Sequence, residues 1–89
     1  MSDDKLAGRI NRAHRAAALL NDELFKSAMI ELEADYLKQW KAEKKSTDQR
    51  EMLWHSVATL ESVRRKLNAW LDDGKMAQRQ LDEMKQRQK

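Results

Sequence analysis

The chain predicts an all-α fold, and three observations carry the prediction. Its 89 residues contain no proline and only two glycines, Gly8 and Gly74. Ala, Leu, Lys, Arg, Gln and Glu dominate, the residues that lose least on entering a helix. Apolar residues recur at steps of three and four along most of the chain, the spacing of one helix face. The expected architecture is an antiparallel helical hairpin preceded by an N-terminal helix, with residues 1–74 as one domain and 75–89 as a polar basic tail or short helix.

In the first element, Ser2 is a candidate cap, with Asp3 and Asp4 favourably placed at the positive end of the helix dipole. Leu6, Ile10, Ala13, Ala17, Leu20 and Leu24 form its seam. The alanines let another helix approach closely but bury little area. At residues 20–24 the register shifts. Phe25, Met29, Leu32, Tyr36 and Trp40 form a new seam, and two readings stand: a fresh helix capped by Asn21 with Leu20 stapled onto Phe25, or one helix running through the shift.

No large apolar residue lies between Trp40 and Met52, and KAEKKSTDQR reads as the loop of the hairpin. Ser46 with Gln49, or Asp48 with Glu51, supplies a capping box for the next helix. There Met52, Leu53, Val57, Leu60, Val63, Leu67, Trp70 and Leu71 fall within an arc of roughly 140°. Gly74 is expected to end this helix in a left-handed conformation. Asp73 then caps a last short helix carrying Met76 or Ala77, Leu81 and Met84.

The antiparallel register brings Trp40 and Trp54 to one level as an aromatic cluster. It also puts Arg64, which interrupts the apolar arc, opposite Glu31, Glu33 and Asp35, where it is expected to pair with a carboxylate. Ile30 and Leu37, with Ala34 between them, lie opposite the main seam of their helix and suggest a second interface.

Charge comes in blocks: residues 21–37 carry five acidic groups and one basic, and residues 38–50 carry two and five. Such alternation suits segments that pair with each other or with a second copy. A nucleic-acid domain more often shows one dominant basic face. Arg9, Arg12 and Arg15 are the candidate nucleic-acid contacts, the plainer reading of the same residues being a solvated face.

Chemistry has little to stand on. With no cysteine there is no disulfide, no thiolate nucleophile and no Cys-type zinc site. His14 and His55 lack a second ligand at helical metal spacing, and Ser56 and His55 are adjacent on a helix, so they point about 100° apart. No metal, cofactor or enzymatic activity is expected. The N-terminal MSDDKLAGRINR lacks an apolar signal core and no apolar run approaches the roughly 20 residues of a membrane span, so a cytoplasmic protein is expected.

The spacing of ELF at 23–25, Trp40, REMLW at 50–54, Leu60, Val63-Arg64, Leu67 and GKMA at 74–77 resembles small uncharacterised helical proteins encoded in bacteriophage and prophage genomes. The resemblance covers roughly residues 20–77. It implies a phage setting (host cytoplasm or virion) and no enzymatic activity, and it assigns no binding residues. The expected function is a non-enzymatic assembly module, a homo-oligomer forming a dimeric bundle or larger ring, with a heterologous protein partner in prospect. Its interface would comprise Phe25, Met29, Ile30, Leu32, Tyr36, Leu37, Trp40, Leu53, Trp54, Val57, Leu60, Arg64, Leu67 and Trp70. The rival is a small nucleic-acid-binding regulator or DNA-packaging factor using Arg9, Arg12 and Arg15.

Overall fold

The computed structural model describes residues 2–42 and 46–88. The side chain of Ser2 and residues 43–45 lie outside the description, and with them the expected Ser2 cap and part of the expected loop. The described residues form three helices and no strand: α1 (Ser2–Leu20), α2 (Glu23–Trp40) and α3 (Thr47–Arg87).

The chain breaks between α1 and α2, which decides between the two readings of residues 20–24. The cap is Asp22, not Asn21. Its backbone is extended, and its carboxylate accepts the Phe25 N–H at 2.8 Å, satisfying one of the donors that a helix start leaves open. α2 ends at Trp40, with the Lys41 N–H donating to the Leu37 carbonyl at 3.0 Å. α3 opens on a complete capping box: the Gln49 N–H donates to Ser46 Oγ at 3.2 Å, and the Ser46 N–H to Gln49 Oε1 at 3.0 Å.

Gly74 does not end α3. The helix runs through it to Arg87, neither glycine has a positive φ, and Gly74 is buried. Asp73 accordingly sits inside a helix and caps nothing, and residues 75–87 continue α3 instead of forming a separate element.

Two compact units divide the chain. The first joins residues 1–20 to 66–89, and the second comprises 21–65. α3 therefore supplies one helix to each. In the first unit Leu6, Ala13, Ala16, Leu67 and Ala77 are buried beside Gly74. The two segments run in opposite directions: Arg9 meets Asp73, while the later Arg12 meets the earlier Trp70. In the second unit Met29 alone among the described residues is buried. The order is again opposed, since Trp40 meets Arg50 and Glu33 meets Arg64.

Candidate functional site

The first unit is held by close approach. A Cβ built on Gly74 would overlap the Ala13 Cβ, and it would lie 3.4 Å from the Arg9 carbonyl oxygen. Only a hydrogen fits there, so the glycine permits a helix contact that any side chain would force apart. Of the expected α1 seam Leu6 and Ala13 are buried and Ile10, Ala17 and Leu20 half-buried, Ala16 is buried in addition, and Leu24 lies on α2 and is exposed. The signal was present as two small-residue pairs, Ala13/Ala16 and Gly74/Ala77, each spaced by three.

One turn from this contact, Arg9 forms a two-pronged pair with Asp73: Nε to Oδ2 at 2.9 Å and Nη2 to Oδ1 at 2.8 Å. Arg12 reaches the same carboxylate at 3.4 Å, while its guanidinium carbon stands 4.9 Å from the Trp70 ring centroid. The hydrogen bond from Arg9 holds the Asp73 carboxyl below the usual range, and the same bond raises the Arg9 guanidinium further. Two of the three candidate nucleic-acid arginines are thus engaged within the chain. Arg15 is exposed and lines an open groove with Arg12, Leu19, Leu67 and Trp70. Sequence reasoning left Asp73 out of the site because its partners lie 61 and 64 residues away.

In the second unit, Arg64 Nη1 sits 3.3 Å from Glu33 Oε2 and 3.3 Å from Glu61 Oε2. The carboxylate facing it from α2 is Glu33, one of the three the register places there. Of the expected interface residues on α2, Phe25 and Tyr36 are half-buried, while Ile30, Leu32, Leu37 and Trp40 are exposed. On α3, Leu53, Val57 and Leu60 are half-buried and Trp54 is 62% exposed. Met52 and Val63, expected within the buried arc, are exposed as well.

Trp40 and Trp54 do share one end of this unit. With Leu37, Leu53 and Val57 they line a cavity of about 80 Å³, well below the ~300–1,000 Å³ of ordinary ligand pockets. Arg50 stands over the Trp40 ring at 5.6 Å. Leu37, expected on the far side of α2, lines this cavity and so shares a face with Trp54. The hydroxyls of Ser56, Thr59 and Ser62 each donate to the carbonyl four residues back, at 2.9–3.0 Å. Such local bonds satisfy hydroxyls without any partner from another element.

Among the described residues, no group of three or more His, Asp or Glu side chains is placed to hold a metal ion, and no helix is long and apolar enough to cross a membrane. No family model matches the chain, and no curated protein or solved structure matches it.

Proposed function

We propose that this protein is a non-enzymatic assembly module that self-associates through its second unit, a helical hairpin. One observation carries the reading. Among the described residues, eight of the ten large exposed apolar side chains belong to the second unit (Leu24, Ile30, Leu32, Leu37, Trp40, Met52, Trp54 and Val63), and of that unit's described residues only Met29 is buried. Two helices cannot enclose their own apolar residues, and covering them from outside contributes about 25 cal/mol per Å² removed from water. A dimeric bundle is the simplest cover, and a larger ring or a heterologous protein would serve the same surface. The phage setting rests on the sequence resemblance alone and belongs to this reading, as does a cytoplasmic or virion location.

The nucleic-acid reading is weaker because Arg9 and Arg12 already hold Asp73. The first unit does concentrate positive charge, with ten basic and six acidic residues. Analytical ultracentrifugation at micromolar concentration tests the proposal: an oligomer is expected, and a cooperatively melting monomer up to high concentration would refute it. A gel-shift series across salt concentrations tests the rival, whose affinity must fall steeply as salt rises.

A further inference from the structure

We infer that the surface of Ile30, Ala34, Leu37 and Trp54 is a two-fold interface on which a second copy of this chain docks with its α2 antiparallel. The inference rests on the assembly reading above and names the face and the direction. Ile30 and Leu37 stand two turns apart on one line of α2, with Ala34 between them. Leu37 shares its cavity wall with Trp40 and Trp54, so these side chains form one continuous surface. Ile30 and Trp54 are 63% and 62% exposed. Taking an aromatic side chain at 150–250 Å², Ile30, Leu37, Trp40 and Trp54 together leave roughly 400 Å² open per copy. Two copies would bury about 800 Å² before Ala34 and the stems of flanking charged residues are added, which brings the contact to the ~1,000 Å² floor of specific interfaces.

Charge sets the direction. On the line of Ile30 and Leu37, α2 carries Glu23 at its start and Lys41 at its C-cap, while Glu31, Glu33 and Asp35 lie in its middle and Lys26 and Lys38 toward its two ends. A parallel copy would set Glu23 against Glu23 and Lys41 against Lys41, whereas an antiparallel copy sets each against the other. Seating Ile30 of one copy against Ala34 of the other places Lys41 opposite Glu23, because both pairs lie symmetrically about the same two-fold axis. Within its own chain Glu23 accepts from Lys26 Nζ at 3.5 Å, an exposed pair that leaves the carboxylate open to a second cation. The small Ala34 side chain gives Ile30 a recess to enter.

Sedimentation equilibrium of the full chain reads the inference. Ile30→Glu and Trp54→Glu should each raise the dimer Kd by at least about tenfold, as removing an interface anchor does. Met52→Glu, about 160° from Trp54 around α3, should change it little. Circular dichroism checks that each variant keeps its helices. A second experiment does not depend on removing apolar side chains. Lys41→Glu and Glu23→Lys each put two like-charge contacts into their own homodimer, but a mixture of the two variants makes both contacts attractive. Each variant alone should dimerise several-fold more weakly than the wild type, and mixing should restore wild-type affinity. A dimer that survives Ile30→Glu and Trp54→Glu, or variants that fail to rescue each other, would overturn this interface while leaving self-association standing. A wild-type chain that is monomeric throughout would remove both.

Discussion

Gly74→Ala is the sharpest test of how the first unit is held together. In an exposed helix the substitution should stabilise, because alanine is favoured over glycine by about 1 kcal/mol. Here the new methyl would occupy the place of the Ala13 Cβ, and α1 and α3 must part by on the order of 1–2 Å, which loosens the Arg9–Asp73 bonds one turn away. Overpacking of this kind costs about 1–3 kcal/mol, occasionally more. Outright overlap of two methyl carbons puts the cost in the upper part of that range, about 2–3 kcal/mol, and less the propensity gain of about 1 kcal/mol the net expectation is a loss of about 1–2 kcal/mol, read as a fall of roughly 5–15 °C in Tm for a chain of this size. Gly8 is the internal control. Nothing lies within 4 Å of a Cβ placed there, so Gly8→Ala should raise stability by about 0.5–1 kcal/mol. A double substitution separates contact from propensity. In Ala13→Gly/Gly74→Ala the obstructing methyl is gone, and the nearest remaining neighbours of the new one are the Arg9 carbonyl oxygen at 3.4 Å and the position 13 Cα at 3.5 Å, ordinary contacts. The propensity changes cancel, and the double variant should melt near the wild type. Thermal and urea unfolding followed by circular dichroism measure the wild type, Gly8→Ala, the two singles Ala13→Gly and Gly74→Ala, and the double variant. If Gly74→Ala were as stabilising as Gly8→Ala, or if the double variant were as unstable as its singles combined, the close approach would be disproved.

Arg64→Leu should keep or raise the Tm, because Glu33 and Glu61 are exposed enough to return to water, while Arg64→Ala should lower it through lost packing by up to about 1 kcal/mol; sedimentation of Arg64→Leu should also show a broader spread of oligomers. Asp73 titrates below its ordinary value in the folded chain, so its contribution to stability is present above the ordinary aspartate range and disappears as pH falls through the lowered folded value; Asp73→Asn should flatten the acid limb of a Tm-versus-pH curve below about pH 4 and leave its slope near neutrality unchanged. Ser46→Ala removes half of the capping box and should cost about 0.5–2 kcal/mol in urea unfolding, with a similar but smaller loss for Gln49→Ala.

The sequence by itself determined the elements whose causes are local. The all-α class follows from composition and period, and the Ser46–Gln49 box is legible because both partners lie within one turn. A break near residues 20–24 was visible as a shift of register, though neighbouring side chains compete to cap and only the backbone chose Asp22 over Asn21. Arg64 was legible as a cation in need of a carboxylate, and the antiparallel register narrowed the choice to three, of which Glu33 is the one in contact. Gly74 and Asp73 were misread for a single reason. A glycine after two aspartates reads locally as a helix end, because an isolated helix would lose stability by continuing through it. The tertiary structure reverses that balance: α1, more than sixty residues away in sequence, places Ala13 where a side chain would stand and Arg9 where Asp73 needs a donor. Local propensities are worth about a kilocalorie per residue, and a close helix contact with a two-pronged ion pair is enough to override them.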